Sequence, residues 1–176
     1  ELSRNLAQRF NYHYSDTFIM PEPFIPKIGA RIMSLQQPES KMSKSDENEK
    51  ATIFLSDSDD VVKNKIKRAV TDSENVVRFA DDKPGISNLM TLYHVATGRS
   101  FDEIEREFSG SGYGDFKSAV ADAVAEYLEP IRNRYEELRS DKKQLEEILT
   151  RGAERANRTA FKTLRKVYKK VGFVSF

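Results

Sequence analysis

The residues of this sequence whose types and spacing best suit chemistry are the lysines and serines of the KMSKS segment, residues 41–45. A lysine ammonium carries three donors on a flexible stem, so it suits a phosphate group that moves or changes charge during a reaction. The serines add hydroxyl and backbone N–H donors, and the polar residues at 46–48 favour a solvated loop. The segment is therefore predicted to bind phosphate, and a solvated loop without a ligand is the alternative.

A second group of candidate residues is a row of cations close to the C-terminus. On an α-helix, the spacing of these cations places them on one face. The row, called the basic stripe below, consists of Arg151, Arg155, Arg158, Lys162, Arg165 and Lys169, with Lys166 beside it. Such a stripe predicts contact with a nucleic-acid phosphate backbone and an affinity that depends on salt.

An alternative stays open for the basic stripe. Acidic residues at 136–137 and 146–147, on a neighbouring helix, would neutralise it and leave no free cationic surface. Aromatic side chains close to the stripe offer stacking faces for unpaired bases, although aromatics at helix ends are more often part of a core. These aromatics are Phe161, Tyr168, Phe173 and Phe176.

Composition limits the classes of site. The 176 residues include 29 basic and 28 acidic side chains, so any affinity for nucleic acid has to come from local clusters. The absence of cysteine excludes disulfides, thiolate metal sites and thiol catalysis in this sequence. The only histidines are His13 and His94, which leave little for a metal site, and none is predicted.

Hydropathy and the first residues give expectations about context. No apolar run approaches the roughly 20 residues of a membrane span, and no signal peptide is recognisable, so we expect a cytoplasmic protein without a membrane partner. The sequence begins at Glu1, without an initiator Met, inside a predicted helix. We therefore expect it to be a fragment of a longer polypeptide.

The elements predicted around the KMSKS segment are few. Apolar periodicity predicts a helix over 2–10, and three prolines between 21 and 26 then prevent regular structure. The apolar run 30–35 is long enough for one strand, which leads directly into the KMSKS segment. Because one strand cannot form a sheet alone, residues 1–57 are predicted to be the end of a truncated Rossmann-like α/β domain.

Residues 58–176 are predicted to form a helical bundle, which makes the fold class mainly α. Capping chemistry predicts helices that begin near Ser56 or Ser58, Pro84, Ser100 and Asp141, and a longer helix is predicted from about Asp115, after a break rich in glycine. The first of these helices is predicted to bury one apolar face, made of Val62, Ile66 and Val70. Pro130 is expected to kink the fourth helix. The last helix is predicted to pack through the face that contains Ala153, Ala156, Ala160, Leu164, Val167 and Val171.

Five stretches of the sequence resemble one known family. They are ELSRNLAQRFN at 1–11, PKIGARIMSL at 26–35, KMSKSD at 41–46, AVTDSE at 69–74, and KPGISNL at 83–89 with GYGDFK at 112–117. The KMSKS segment after a short apolar run resembles the second signature of class I aminoacyl-tRNA synthetases. The downstream strings resemble the C-terminal half of the bacterial tryptophanyl-tRNA synthetases, and the resemblance covers essentially the whole sequence.

The resemblance implies an activity and its partners. In that family, tryptophan is joined to the α-phosphate of ATP with release of pyrophosphate, and the acyl group then passes to tRNA(Trp). ATP would be a substrate, with Mg²⁺ accompanying it, and the parent enzyme would be a homodimer. The helices from residue 58 onward would bind tRNA at its anticodon.

The resemblance also implies roles for individual residues of this sequence. Lys41 and Lys44 would be catalytic residues over the ATP phosphates, where charge grows on the leaving pyrophosphate. Ser43 and Ser45 would donate to phosphate oxygens or fix the loop. The adenine would lie near Met42, with Ile32 forming another wall.

The sequence departs from the family pattern in ways that restrict this interpretation. The first class I signature, the HIGH-type tetrapeptide, is absent, and so are the G-x-D-Q string and the tryptophan pocket. We therefore expect this chain alone to be unable to form tryptophanyl-adenylate. Two alternatives stay open: a tyrosyl-type relative that shares KMSKS, and a non-catalytic helical module in which the basic stripe binds nucleic acid.

Overall fold

The computed structural model describes residues 1–26 and 29–174, which form six α-helices and one short 3₁₀-helix. The α-helices are α1 (Leu2–His13), α2 (Asp59–Lys67), α3 (Pro84–Thr97), α4 (Phe101–Glu107), α5 (Tyr113–Ser140) and α6 (Lys142–Val171). The 3₁₀-helix covers Glu49–Ala51. The mainly helical class is confirmed, and within the described ranges no helix is both apolar and long enough to cross a membrane.

The chain divides into two compact units. One unit is Pro26–Glu137, and the other combines Glu1–Ile25 with Leu138–Phe176. The KMSKS segment and the basic stripe therefore lie in different units. The predicted division at 57/58, between the end of an α/β domain and a helical domain, stays a prediction.

Local capping chemistry places the helices as predicted. Pro84 occupies the first turn of α3, where its missing N–H is no loss, and Gly98 ends that helix with a φ of 75°. Ser100 and Glu103 form a reciprocal capping box at the start of α4. Asp141 caps α6 by accepting a hydrogen bond from the backbone N–H of Gln144.

Helix α2 follows the predicted pattern for two of its three apolar positions. Asp59 and Asp60 lie in its first turn and two lysines in its last, which suits the helix dipole. Val62 and Ile66 are fully buried. The prediction that Val70 faces the core is wrong: the helix ends at Lys67, so Val70 lies in the following extended segment and is 46% exposed.

The core of the unit Pro26–Glu137 is formed by α2, α3, α4 and the first half of α5. Aromatic rings join three of these helices, since Phe108 lies edge-on to Tyr93 and to Phe116 at centroid distances of 5.7 and 5.0 Å. Gly85 allows the start of α3 to approach the chain closely, because a Cβ at Gly85 would lie 2.2 Å from the carbonyl oxygen of Val70. Helix α5 continues through Pro130, and the predicted kink stays a prediction.

The predicted strand over 30–35 is wrong for the residues that the structure describes. Only one isolated antiparallel bridge forms there, between Met33 and Lys41. A run of apolar residues becomes a strand only when neighbouring strands pair with it, and the described residues contain no such strand. The segment is nevertheless extended and tied to its surroundings, as the site geometry shows.

The second unit contains α1 and α6. Asn11 holds the turn after α1, with its side-chain oxygen accepting from the backbone N–H groups of Thr17 and Phe18 at 2.9 Å each. Lys170 donates to the carbonyl oxygen of Asp16 and to the Thr17 hydroxyl at 2.9 and 2.7 Å. These contacts join the end of α6 to the turn that follows α1.

The prediction that α6 packs through an apolar face is wrong, because this helix has no buried residue. Periodicity shows that a helix has an apolar side, but it does not show that another element covers that side. Phe161 and Phe173 are exposed, and the ring of Tyr168 lies edge-on to that of Phe173, at 5.6 Å between centroids. Phe176 lies outside the described residues.

Candidate functional site

The KMSKS segment is one arm of a paired loop, residues 32–52, called the latched loop below. Two backbone hydrogen bonds flank the Met33–Lys41 bridge: Ser34 N–H donates to Ser40 O at 2.8 Å, and Met42 N–H donates to Ile32 O at 3.0 Å. This is the non-hydrogen-bonded type of antiparallel pair, in which the opposed side chains lie close together. The pairing brings the predicted adenine-site residues Ile32 and Met42 next to each other.

The other edge of the first arm is paired by a side chain from α3. Asn88 Oδ1 accepts from Met33 N–H at 2.9 Å, and Asn88 Nδ2 donates to Met33 O at 2.8 Å. The Asn88 side chain is buried, with 5% of the residue exposed. An unpaired backbone group at such a position would cost about 1–3 kcal/mol, so both bonds matter to the local structure.

Two further backbone hydrogen bonds close the latched loop at its base. Leu35 N–H donates to Ala51 O at 3.0 Å, and Val70 N–H donates to Leu35 O at 2.8 Å. Ser34 Oγ accepts from the N–H groups of Gln36 and Gln37 at 3.3 and 3.1 Å, which forms the tight turn before the KMSKS segment. The loop is therefore held at both ends by buried or half-buried groups.

Thr52 fixes the tip of the loop from inside the unit. Its hydroxyl donates to the carbonyl oxygen of Ser43 at 2.7 Å, and the residue is only 5% exposed. The hydroxyls of Ser43 and Ser45 lie 3.0 Å apart, and Asp46 N–H donates to Ser43 O at 3.2 Å. The two serines thus stabilise the turn, and their hydroxyls stay at the surface.

Lys65 of α2 supports the segment that carries Thr52. Its ammonium donates to Thr52 O at 2.9 Å and to Asp57 Oδ2 at 2.7 Å, and lies 4.9 Å from the centre of the Phe54 ring. Asp57 Oδ2 also accepts from Phe54 N–H at 2.9 Å. This half-buried ion pair is a structural support, because both charged groups are saturated by protein.

The two lysines of the KMSKS segment differ from Lys65 in their exposure and in their contacts. Lys41 and Lys44 are exposed, and neither ammonium has a hydrogen-bond or ion-pair partner within the residues that the structure describes. Their backbones are held while their ammonium groups stay available. A tetrahedral anion with several oxygens is the ligand that such a pair of donors suits.

A buried cation near the latched loop is another structural feature. Lys83, with 1% of its side chain exposed, contacts Asp72 at 2.9 Å, Glu74 at 2.6 Å and the Tyr113 hydroxyl at 3.1 Å. Burial opposes the charge of Asp72, but hydrogen bonds from Tyr113 and Lys83 outweigh it and lower the pKa of Asp72 to about 2. The pKa of Lys83 is raised despite burial, because Glu74, Asp72 and Tyr113 all bond to it.

This group, called the Lys83 cluster below, joins the start of α3 to the start of α5 and to the segment 72–74. Its charges are satisfied by one another, apart from Asp72 Oδ2, which is buried without a partner. The cluster therefore holds these elements in place, and the Lys83 ammonium is fully occupied by Asp72, Glu74 and Tyr113.

The basic stripe lies on α6, in the second unit. All six of its side chains are exposed, and across the described part of the chain none of them forms an ion pair with an acidic side chain. Arg151 Nε donates to the backbone oxygen of Glu147, not to its carboxylate, at 3.3 Å. Glu137 pairs instead with Arg134, at 2.6 Å. The described residues therefore give no support to the alternative in which acidic side chains neutralise the basic stripe.

Potential metal ligands are numerous in the sequence, which contains 28 Asp and Glu residues and two His residues. Among the residues that the structure describes, no group of three or more of these side chains is placed to hold a metal ion. The Mg²⁺ implied by the resemblance stays a prediction.

Sequence reasoning found the exposed lysines but missed the residues that hold them. Asn88, Thr52 and Lys65 act across long stretches of sequence, and the contact of Asn88 with Met33 spans 55 residues. The only signal available for Asn88 was an amide among the buried apolar positions of α3. For Lys83 there was no signal beyond its position before Pro84.

Comparison with known proteins gives one family. Residues 1–129 match the family described as tRNA synthetases class I (W and Y). The tryptophan–tRNA ligase of Clostridium acetobutylicum is 50% identical over 174 residues, which are 99% of this chain and 52% of that protein. The tryptophan–tRNA ligase of Bacillus subtilis (strain 168) is 51% identical over 173 residues, or 98% of this chain and 52% of that protein.

Solved structures agree with the sequence comparison. The tryptophanyl-tRNA synthetase of Mycoplasma pneumoniae superposes with a TM-score of 0.89 at 33% identity, over 99% of this chain and 53% of that one. The enzyme of Campylobacter jejuni, complexed with ADP and tryptophan, gives a TM-score of 0.67 at 27% identity, over 98% of this chain and 53% of that one. The chain thus spans about half the length of the relatives it matches.

Proposed function

This chain belongs to the class I tRNA synthetases of the W and Y group, and from that premise we propose that it supplies the ATP-phosphate loop and the tRNA-binding helices of a tryptophan–tRNA ligase. The observation that carries the proposal is the latched loop, which fixes the backbone of the KMSKS segment while the ammonium groups of Lys41 and Lys44 have no partner among the described residues. The relatives named above as tryptophan–tRNA ligases supply the amino-acid assignment.

The proposed chemistry is the activation of an amino acid. A carboxylate oxygen of tryptophan attacks the α-phosphorus of ATP, the bond from that phosphorus to the bridging oxygen of the pyrophosphate breaks, and tryptophanyl-adenylate and pyrophosphate form. The bridging oxygen keeps the electron pair, so negative charge grows on the leaving group. Lys41 and Lys44 are proposed as the catalytic residues that bind this charge better in the transition state than in the ground state.

The remaining loop residues are proposed to orient the nucleotide. Ile32 and Met42, which the bridge brings side by side, are proposed to flank the adenine. Ser43 and Ser45 already bond to each other within the turn. We propose that their hydroxyls turn toward phosphate oxygens when ATP binds, or that they hold the turn itself. Mg²⁺, which accompanies ATP in the family, would add charge compensation on the phosphates.

The tRNA is proposed to bind the helical part of the chain, residues 58–176. The basic stripe supports this assignment, because its six cations are exposed and lack acidic partners in the described residues. Contacts of this kind release counterions from the phosphate backbone, so the affinity is expected to fall steeply with salt. A homodimeric parent enzyme and the anticodon as the bound region stay predictions.

The test of this function is ATP–pyrophosphate exchange by the full-length protein that contains this sequence. Exchange that depends on tryptophan, and that tyrosine supports much less, is the expected result. Exchange driven by tyrosine would favour the tyrosyl-type alternative, and no exchange with either amino acid, together with salt-dependent tRNA binding, would favour the non-catalytic module. The 176-residue chain by itself is expected to show no exchange, and measurable exchange with tryptophan would contradict that expectation.

A further inference from the structure

We propose that Asn88 is a positioning residue for the KMSKS segment: it bonds to Met33 where the backbone of a neighbouring strand would pair, and it holds the pair formed by Met33 and Lys41. The proposal rests on the proposed function, since it assigns Asn88 an effect on the activation step. Asn88 contacts no loop lysine directly, so it acts through the backbone of Met33.

The hydrogen-bond pattern explains why an amide is needed at this position. In a non-hydrogen-bonded antiparallel pair, the backbone groups of the two opposed residues point away from each other. The N–H and C=O of Met33 therefore point away from Lys41, toward the side where a third strand would lie. Asn88 supplies one acceptor and one donor there, at 2.9 and 2.8 Å, as the backbone of a strand would.

Few other side chains satisfy this pair of backbone groups. Aspartate keeps the acceptor for Met33 N–H but places a second oxygen against Met33 O, and leucine removes both partners at similar volume. Glutamine has the right groups on a longer stem, in a site where Asn88 is only 5% exposed. The geometry thus selects asparagine by both its chemistry and its length.

Asn88, the anchor of the first arm, is connected to Lys41 through one intermediate residue, Met33. Asn88 lies on α3, between the fully buried residues Ile86 and Leu89, so its own position is rigid. Met33 is held by Asn88 on one side and is paired with Lys41 on the other. Without the anchor, the first arm would lose two of its bonds to the helical core, and the ammonium of Lys41 would sample a wider volume.

The kinetic test compares two variants of the same helix in the full-length protein. Asn88→Ala removes two hydrogen bonds to Met33, and Ser87→Ala removes two to Ala80, which lies outside the latched loop. Because displacement of a reacting group by about 1 Å can lower a rate about 100-fold, we expect Asn88→Ala to lower kcat for pyrophosphate exchange at least tenfold. The KM for tryptophan should stay within about twofold of wild type, and Ser87→Ala should keep kcat. Equal losses in the two variants would overturn the proposal.

A double-variant experiment checks that Asn88 acts through Lys41. If it does, Asn88→Ala should lower kcat much less in a Lys41→Ala background than in wild type, because residues that act as one unit are not additive. Asn88→Asp should lower kcat at least as much as Asn88→Ala, because it keeps one bond but sets a buried carboxylate oxygen against Met33 O. Full additivity with Lys41→Ala would overturn the proposal.

Hydrogen exchange keeps the inference testable apart from catalysis. In Asn88→Ala, the amides of Ser34 and Met42 should exchange faster, whereas Ser87→Ala should leave them protected. Absence of wild-type pyrophosphate exchange would refute the proposed function, and the amide protection would then still decide whether Asn88 holds the loop. Unchanged protection in Asn88→Ala would overturn the positioning role.

Discussion

The latched loop and helix α6 both present lysine or arginine side chains to solvent, but they hold them in opposite ways. The latched loop has no regular secondary structure apart from one turn of 3₁₀-helix, and its backbone is fixed by buried side chains such as Asn88 and Thr52. Helix α6 is 30 residues of regular structure without a single buried residue. Regularity and fixed position are therefore separate properties in this chain.

The difference indicates what each region can do. A group that must meet a charge developing at one atom needs a defined position, and the latched loop provides it through bonds to α3 and to Thr52. A row of cations that follows a polyanion needs only density and exposure, which a bare helix provides. We therefore expect single changes in the loop to have large effects, and single changes on α6 to have small ones.

The largest effect is expected from Lys41→Ala or Lys44→Ala in the full-length protein. Loss of one preorganised donor to a developing anion lowers rates by about 100-fold or more, so pyrophosphate exchange should fall by at least that factor. Lys50→Ala is the matched control, since it removes another exposed lysine of the same loop outside the KMSKS segment. If all three variants lost activity to the same degree, the special role of the KMSKS lysines would be disproved.

The next effect concerns glycines, and it has opposite signs in α3, which carries the Asn88 anchor of the latched loop, and in α6. Gly85→Ala should destabilise the protein by about 1–3 kcal/mol, because its Cβ would meet the carbonyl oxygen of Val70. Gly152→Ala on α6 should stabilise by about 0.5–1 kcal/mol, because nothing lies near its Cβ position and alanine favours a helix. Urea unfolding measures both. Destabilisation by Gly152→Ala would show that α6 is packed in solution.

A pH dependence of the stability is expected from the Lys83 cluster. The pKa of Asp72 is about 2 in the folded protein, against a usual value of 3.8. A folded-state pKa below the unfolded one means that the stabilisation is complete above the unfolded value and is lost as pH falls through the folded value. The stability difference between wild type and Asp72→Asn should therefore shrink as pH falls from 3.8 to about 2.

Urea unfolding of both proteins at several pH values tests this prediction. Asp81→Asn, which changes an exposed carboxyl group in the same unit, serves as the control. A difference between wild type and Asp72→Asn that stayed constant across that range would disprove the role of the Asp72 charge.

The smallest effect is expected from a single change in the basic stripe. Arg158→Ala should weaken tRNA binding by a few-fold and reduce the slope of log K against log salt by about 1. Glu154→Gln removes the only acid between Arg151 and Lys170, so it should strengthen binding at low salt. Filter binding at several salt concentrations measures both. A slope unchanged in Arg158→Ala would remove that residue from the interface.

The sequence correctly predicted features that depend on residues close together in the chain, and it failed for features that depend on residues far apart. The capping box of Ser100 and Glu103 and the cap at Asp141 are local, and the structure contains both as predicted. The prediction of a strand over 30–35 failed because a strand forms only when other strands, which can lie far away in the sequence, pair with it. The prediction that α6 packs through its apolar face was wrong for the same reason, because the apolar face of a helix does not indicate which other element covers it.

The residues of the candidate site show the same difference between short-range and long-range interactions. The lysines of the KMSKS segment were identified from residue type and spacing, which are local. The residue that holds them, Asn88, was missed because its contact spans 55 residues and looks in sequence like any polar residue of a helix. Sequence therefore identified the groups proposed to react, and the structure was needed to find the groups that position them.

The central claim is that the latched loop and helix α6 have separate tasks. The most direct test measures two properties in each of two variants. Pyrophosphate exchange and tRNA binding are both measured in the full-length protein for Lys41→Ala and for the combined variant Arg151→Ala, Arg155→Ala and Arg158→Ala. The account predicts that the first variant loses exchange and keeps tRNA binding, while the second loses tRNA affinity and keeps exchange. Loss of both properties in both variants, or of neither in Lys41→Ala, would contradict it.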